Sequence, residues 1–129
     1  MYAFSDRSKQ RMFGVDDLLV AVAYRALEIS PIDFGIPALG GKRTADEQFK
    51  LFTAGKSKCD GTLKRSKHQD GRALDFYAFV DGSASWDERH LAVVAAAFLQ
   101  AAGELGVRLE WGGLWRNFKD YPHVQIIKD

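Results

Sequence analysis

Two short polar motifs, far apart in the chain, most constrain the fold of this sequence. The first contains His68 and Asp75, and the second contains Asp120 and His123. Two imidazoles and one carboxylate are a ligand set typical of a catalytic zinc site, which leaves its fourth position to water. If His68, Asp75 and His123 bind one ion, the fold must bring the second motif against the first. Asp120 then remains beside them as a spare carboxylate.

Length and net charge limit the other functions open to the chain. Its 129 residues can bury one hydrophobic core, so we expect a single domain over residues 1–129. Eighteen basic and seventeen acidic side chains give a net charge of +1, which provides no overall field to attract nucleic acid or anionic membranes. The longest apolar run, residues 91–99, is about half of the roughly 20 residues that span a bilayer. We therefore expect no nucleic-acid partner and no membrane insertion.

Cysteine content and the N-terminal segment indicate where the protein is made. Cys59 is the only cysteine in the chain and forms no internal disulfide, which fits folding in a reducing compartment. A secretory signal needs an apolar stretch of roughly 7 to 15 residues, whereas residues 1–13 are interrupted by four charged side chains. We expect synthesis in the cytoplasm without a signal peptide, and a monomeric protein.

Hydrophobic periodicity predicts an α+β fold. Apolar side chains at helical spacing predict three helices, over residues 16–29, 44–54 and 85–101. Capping boxes are predicted at the start of two of them, from Thr44 to Glu47 and from Ser85 to Glu88. Alternating polar and apolar side chains predict four strands, over residues 32–36, 72–80, 107–111 and 123–127. We expect the helices to pack on one mainly antiparallel sheet, which carries the zinc site.

The predicted strands place the candidate ligands on the same sheet. Asp75 alternates with Leu74 and Phe76 and therefore projects from the opposite face of its strand. His123 projects from the same side of the last strand as Gln125, which could fix the second ring nitrogen of a ligating imidazole. Stiff strands can hold such groups at the distances of about 2.0 to 2.2 Å that zinc requires.

Each motif also has an interpretation that needs no metal. A histidine and an aspartate seven residues apart occur often by chance. Residues 120–123, Asp-Tyr-Pro-His, could form a turn, because aspartate and proline favour turns. Arg43 could be a solvated charge before a helix, and Trp111 and Trp115 could line the core or a pocket wall. His90 is flanked by charged residues and is expected to be a solvated surface histidine.

Three segments of the chain share the residue types, order and spacing of a known family. They are residues 41–48, the run Ser66-x-His68-x-x-Gly71-x-Ala73-x-Asp75, and the run Trp111-Gly112-Gly113-x-Trp115-x-x-Phe118-x-Asp120-x-x-His123. Together they span most of the chain and resemble the zinc peptidase family of D-Ala-D-Ala carboxypeptidases and L-alanyl-D-glutamate endopeptidases. The wider group includes lysostaphin-type enzymes and the Hedgehog signalling domain. The short chain is most similar to the phage endolysin-like branch.

The resemblance implies a role for each matched residue. It implies that His68, Asp75 and His123 are the zinc ligands and that Asp120 is the catalytic acid and base, although many members carry glutamate at that position. The implied substrate contacts are Arg43, Ser66, Gln48 and Trp115. In such a site zinc activates a water molecule to attack the scissile carbonyl, and Asp120 passes the proton to the leaving amine.

The resemblance also implies a substrate and a setting. Endolysins of phages or prophages from Gram-negative hosts cut the bond between L-alanine and D-glutamate in the peptidoglycan stem peptide. Such a protein would act on the wall in the periplasm after another factor, such as a holin, has permeabilised the membrane. Two alternatives remain open, namely a D,D-carboxypeptidase that removes terminal D-alanine and a non-catalytic zinc-containing module that binds peptidoglycan. The spare carboxylate of Asp120 favours catalysis.

Overall fold

The fold combines α-helices with two small antiparallel sheets, and the computed structural model describes residues 2–127. The helices are α1 Asp6–Arg11, α2 Asp17–Ile29, α3 Ala45–Thr53 and α4 Glu88–Leu105. The strands are β1 Asp33–Gly35, β2 Ala73–Asp75, β3 Tyr77–Val80, β4 Ser83–Ser85, β5 Leu109–Trp111 and β6 His123–Ile126. Two 3-10 turns are formed by Lys67–Asp70 and Gly112–Leu114. The prediction of an α+β fold is confirmed.

The strands form two sheets rather than the single sheet that was expected. One sheet has the order β1-β3-β4 and the other the order β2-β6-β5, and all neighbours are antiparallel. The strand predicted over residues 72–80 is split at Phe76, whose backbone N–H donates to the carbonyl of Pro122 at 2.9 Å. The alternation continues across the break, so Leu74, Phe76 and Ala78 are all fully buried. One stretch of chain therefore contributes a strand to each sheet.

The hydrophobic core is centred on α2 and α4, which pack against each other. Helix α4 also contacts β3 of one sheet and β5 of the other, so it covers both sheets. Its Phe98 stacks on Phe76 with the ring centroids 5.1 Å apart and meets Phe34 at the same distance. Burying an aromatic or branched side chain of this size stabilises the fold by about 1.5–3 kcal/mol. The aromatic cluster therefore holds the split segment in place.

Capping residues determine where α3 and α4 begin. The box predicted before α3 is present, because the hydroxyl of Thr44 accepts the Glu47 N–H at 3.1 Å and the Glu47 carboxylate accepts the Thr44 N–H at 2.9 Å. The box predicted at Ser85 is wrong, since Asp87 caps α4 by accepting an N–H of its first turn at 2.9 Å. The Ser85 hydroxyl instead lies 2.7 Å from Nδ1 of His90. That histidine is half-buried, not solvated as expected.

Strand β4, which was not predicted, follows the turn expected over residues 81–83 and forms a hairpin with β3. Asp81 and Gly82 at its tip have φ angles of 53° and 81°, which are typical of a two-residue hairpin turn. Helix α4 continues beyond residue 101, the predicted end, and stops where Gly106 adopts a φ of 71°. No helix within residues 2–127 is both long enough and apolar enough to cross a membrane.

Replacing Phe76 with alanine should destabilise the fold strongly. The ring is fully buried between two strands of different sheets, so its removal leaves a cavity and lowers the free energy of unfolding by about 3–5 kcal/mol. Phe79→Ala is the matched control, because Phe79 is 42% exposed on β3 and its loss should cost at most about 1 kcal/mol. Urea unfolding measures both changes. An equal decrease in the free energy of unfolding for both variants would contradict this assignment of the core.

Candidate metal centre and active-site cleft

Three candidate ligands come together because β2 and β6 are neighbours. Asp75 ends β2 and lies directly opposite His123, the first residue of β6. His68 approaches from the 3-10 turn that precedes β2. The hydroxyl of Ser66 starts this turn by accepting the His68 N–H at 3.2 Å, and Gly71 ends it with a left-handed φ of 72°. The two distant polar motifs of the sequence therefore meet at one end of the sheet.

The facing atoms of these residues have the spacing of metal ligands. Nε2 of His68 lies 3.2 Å from Oδ1 of Asp75 and 3.3 Å from Nδ1 of His123. The distance between Nδ1 of His123 and the same carboxylate oxygen is 3.1 Å. Ligands bound at about 2.0–2.1 Å around a tetrahedral ion are about 3.3 Å from one another. The three atoms therefore occupy three corners of a site of the right size.

The outer nitrogens of both histidines are held by oxygen acceptors. Nδ1 of His68 lies 2.9 Å from the carbonyl of Gly41, and this nitrogen must carry the proton because a carbonyl only accepts. Nε2 of His123 lies 2.8 Å from Oε1 of Gln125, whose amide nitrogen donates to Glu110. That orientation of the amide assigns the proton of His123 to Nε2. Each inner nitrogen is left with a lone pair that points to the centre.

This arrangement fits a divalent cation. Two imidazole lone pairs and a carboxylate oxygen converge within 3.3 Å of one another, and such electron-rich atoms repel when no cation lies among them. Histidines that bind metals usually donate their other N–H to an oxygen, as His68 and His123 do here. Two nitrogen ligands and one carboxylate suit zinc and neighbouring transition metals.

The charges in the centre favour an ionised Asp75. Burial alone would raise the pKa of this carboxyl, but the neighbouring His68 and His123 outweigh burial and hold the pKa well below its usual value. Burial lowers the pKa of His123, but Asp75 more than compensates because its carboxylate accepts from and attracts the protonated ring, so the pKa is raised; a bound metal would replace the proton on the inner nitrogen. Asp75 therefore remains a carboxylate at neutral pH, which is the form that binds a metal.

Arg43 links the metal centre to the wall of the cleft. Its Nη2 donates to Oδ2 of Asp75 at 3.1 Å, its Nη1 donates to Oε1 of Gln48 at 3.0 Å, and its Nε donates to the carbonyl of Leu39 at 2.7 Å. Burial lowers the pKa of the guanidinium, and the carboxylate of Asp75 opposes that change. The ion pair orients Asp75 so that its other oxygen faces the histidines. Arg43 also borders the cleft, where its remaining N–H groups are available to a ligand.

Gln48 lies behind Arg43 and not on the surface of the cleft. Its side chain is fully buried, its amide oxygen accepts from Arg43, and its amide nitrogen donates to the Ser57 hydroxyl at 2.8 Å and the Cys59 carbonyl at 2.9 Å. The structure therefore corrects the predicted substrate contact of Gln48, because no part of the side chain is accessible to a substrate. Gln48 instead connects Arg43 to the loop over residues 54–66.

Asp120 lies beside the inner nitrogen of His123. Its Oδ2 is 3.7 Å from Nδ1 of His123, and its side chain is 48% exposed toward the cleft. Burial raises the pKa of Asp120, the charge of His123 opposes the rise, and the negative charge of Asp75 adds to it. The Asp120 N–H donates to the carbonyl of Gly112 at 3.0 Å, and a Cβ at Gly112 would overlap the Asp120 backbone. Glycine at this position is therefore what lets Asp120 approach the centre.

A cleft of about 610 Å³ opens over the candidate ligands. This volume lies within the range of about 300–1,000 Å³ that is usual for small-ligand sites. Trp115 forms part of its wall, with its ring centroid 5.2 Å from that of His123, and Phe118 stands 65% exposed at the edge. Ser66 also borders the cleft, although its hydroxyl already caps the turn that carries His68. Of the four predicted substrate contacts, Arg43, Ser66 and Trp115 line the cleft and Gln48 does not.

Backbone carbonyls at the centre were missed by sequence reasoning. The carbonyl of Gly41 holds His68 and the carbonyl of Leu39 holds Arg43, and neither side chain carries chemistry that would attract notice. A Cβ at Gly41 would overlap the carbonyl of Arg11, so glycine is required there by close packing. The paired glycines at 40 and 41 were the available signal, because glycine permits a close approach of the backbone to its neighbours.

The chain is similar to known peptidases over nearly its whole length. A model of the phage L-alanyl-D-glutamate peptidase family matches residues 1–127. The L-alanyl-D-glutamate peptidase of Escherichia phage T5 is 36% identical over 126 residues, which cover 97% of this chain and 89% of that protein. The peptidoglycan L-alanyl-D-glutamate endopeptidase CwlK of Bacillus subtilis strain 168 is 35% identical over 103 residues, which cover 67% of this chain and 58% of that protein.

A solved structure has the same fold. The crystal structure of the Serratia marcescens L-Ala D-Glu endopeptidase ChiX matches with a TM-score of 0.84 and 35% sequence identity. The match covers 97% of this chain and 90% of that chain. The similarity therefore extends over nearly the whole fold.

Removing a candidate ligand should remove the metal. We expect His68→Ala and His123→Ala to lose bound zinc, because each variant leaves two protein ligands where a catalytic site needs three. His90→Ala is the matched control, since His90 is not among the residues that line the cleft. Zinc content after dialysis, measured by elemental analysis, checks the prediction. Equal zinc in all three variants would contradict the assignment of the ligands.

Proposed function

Because the chain belongs to the phage L-alanyl-D-glutamate peptidase family, we propose that it is a zinc-dependent peptidoglycan hydrolase. The bond that it cuts joins L-alanine to D-glutamate in the stem peptide. The observation that carries this proposal is the convergence of His68, Asp75 and His123 at ligand spacing with Asp120 beside them at the cleft. The relatives from phage T5, B. subtilis and S. marcescens are L-alanyl-D-glutamate peptidases or endopeptidases, which supports this activity over that of a D,D-carboxypeptidase.

The residues of the site have different roles in the proposed reaction. His68, Asp75 and His123 would hold zinc, which would lower the pKa of a water molecule toward about 7 and polarise the scissile carbonyl. Asp120 takes the proton from the attacking water and returns it to the leaving amine, which is general base and then general acid catalysis. The raised pKa of Asp120 suits this double role, because a group that both accepts and donates needs a pKa closer to neutrality than that of a solvated aspartate.

We also propose that residues 1–129 form a single catalytic domain that acts as a monomer. We propose that this domain binds neither nucleic acid nor the membrane interior. The phage origin of the T5 relative supports synthesis in the host cytoplasm and action on the wall. Access to the periplasm would then depend on a membrane-permeabilising factor such as a holin.

Asp120→Asn should separate metal binding from turnover. Asparagine keeps the size of the side chain but cannot accept the proton, so we expect zinc content to be unchanged and turnover to fall by about 10²–10⁴-fold. Mass spectrometry of Gram-negative peptidoglycan, treated with and without a zinc chelator, identifies the products. Peptides with a new D-glutamate amino terminus, released only without chelator by the unaltered protein, are the expected result.

Other product patterns would overturn the proposal. Loss of terminal D-alanine alone would indicate a D,D-carboxypeptidase. Bound zinc without any product would indicate a peptidoglycan-binding module. An Asp120→Asn protein with full turnover would remove Asp120 from the chemistry.

Arg43→Ala should weaken the binding of both the metal and the substrate. The change leaves Oδ2 of Asp75 without its partner and removes a cation from the cleft, so we expect about 10- to 100-fold weaker zinc binding and a raised KM. Arg25→Ala is the control, because Arg25 pairs with Glu104 away from the cleft. Zinc titration and steady-state kinetics on soluble stem peptides measure the two effects. Unchanged values for both would exclude Arg43 from the site.

A further inference from the structure

Positive charge is concentrated in the cleft although the whole chain is nearly neutral. Six of the eighteen basic side chains line it, but only two of the seventeen acidic ones, Asp75 and Asp120, do so. The basic residues are Arg43, Lys56, Lys58, Arg65, Lys67 and Lys119. A cleft lined by one sign of charge focuses the field and attracts ligands of the opposite sign. The local charge therefore differs from what the net charge of +1 indicates.

The lysines of the cleft lie outside the close ion pairs of residues 2–127, although the charge of Lys67 also acts on the nearby Asp70. Arg43 pairs with Asp75 at 3.1 Å and Arg65 pairs with Asp70 at 3.0 Å, which accounts for both arginines. Within residues 2–127, no ion pair to an acidic side chain is formed by the four lysines, Lys56, Lys58, Lys67 and Lys119. Like charges grouped in this way repel one another. An anionic ligand would relieve that repulsion.

Contacts within the protein hold two of these lysines at the cleft. Nζ of Lys58 lies 3.3 Å from the centre of the Phe118 ring, and Nζ of Lys119 donates to the carbonyl of Trp115 at 3.0 Å. Phe118 itself has a φ of 58°, a conformation that few non-glycine residues adopt. Lys56 and Lys67 are exposed where the loop and the turn before His68 line the cleft. Neither side chain is held by a close ion pair to another residue within 2–127.

We propose that these four lysines form a binding surface for the free carboxylates of the stem peptide. The inference rests on the proposed function, and it adds that the enzyme prefers stem peptides with ionised carboxylates to amidated ones. A D-glutamate joined through its side chain keeps a free α-carboxylate on the same Cα whose nitrogen forms the scissile bond, and a terminal residue provides a second carboxylate. Both are anions of the kind that a lysine-lined cleft attracts.

A matched pair of soluble substrates tests the preference. The first is N-acetyl-L-Ala-γ-D-Glu-L-Lys-D-Ala with both carboxylates free, and the second is the same peptide with both converted to amides. Since an exposed ion pair changes binding by a factor of about two to five, we expect the unaltered protein to favour the free peptide in kcat/KM on the order of tenfold. The preference should appear mainly in KM and shrink between about 0.05 M and 0.5 M salt, because salt screens exposed charges.

Variants of Lys56 and Lys67 show whether the lysines of the cleft cause the preference for free carboxylates. Lys56→Met with Lys67→Met should reduce the ratio between the two peptides to about two. Lys9→Met with Lys50→Met removes the same charge from exposed residues outside the cleft and should leave the ratio unchanged. The conservative double change to arginine at 56 and 67 should restore the preference. Thermal melts and zinc content confirm that each variant is folded and loaded.

The outcomes separate this inference from the proposed function. If the unaltered protein cuts neither these peptides nor intact Gram-negative peptidoglycan, the proposed function fails; if it cuts peptidoglycan but neither peptide, the two carboxylates do not suffice for capture and the carboxylate surface is excluded. If it cuts both equally well, or if the cleft and control variants change the ratio alike, the carboxylate surface is excluded while the hydrolase remains. Salt-dependent activity on intact peptidoglycan with no difference between the two peptides would indicate general attraction to wall polyanions, and it would also overturn the proposal.

Discussion

The pairing of β2 with β6 is the constraint on which the candidate site depends. The register places Asp75 opposite His123 and, one step along, Leu74 opposite Val124. Leu74 and Val124 are both fully buried, and a shift of one residue would turn each of them out of the core and turn His123 away from Asp75. The free energy of burying the core therefore fixes the geometry of the metal centre. Ligand placement is in this sense a consequence of packing.

A second layer of contacts connects that rigid pair of strands to irregular parts of the chain. Arg43 bonds to Asp75 on one side and to Gln48 on the other, and Gln48 in turn holds the backbone of Cys59. The loop over residues 54–66 has no helix or strand of its own, so this buried amide is one of its main attachments to the site. The loop supplies Lys56 and Lys58 to the cleft. The position of Asp75 and that of the cleft wall are therefore coupled through Arg43.

Local patterns in the sequence were sufficient to predict helices and strands but not how these elements assemble. The Thr44 box and the alternation around Leu74 depend on near neighbours, and both were predicted. The passage of the chain from one sheet to the other at Phe76 could not be predicted. The alternation of buried and more exposed residues continues unbroken through Phe76, and only its hydrogen bond to the distant Pro122 carbonyl marks the break. Gln48 illustrates the same limit, since nothing near it in sequence indicates that it would be buried behind Arg43. Long-range partners decided each of these features.

The net charge of the chain says little about which ligands the cleft attracts, and the reason is physical. Coulomb interactions at physiological salt fall off over about 8 Å, so a substrate at the cleft responds to the side chains around it and not to the total. Here the cations that line the cleft are offset by acidic side chains located elsewhere. That separation would have a functional consequence: the excess of acidic side chains outside the cleft limits attraction to unrelated polyanions, while the basic side chains of the cleft still attract anions. With the proposed lysine surface, the chain would combine weak nonspecific binding with selective capture of an acidic peptide.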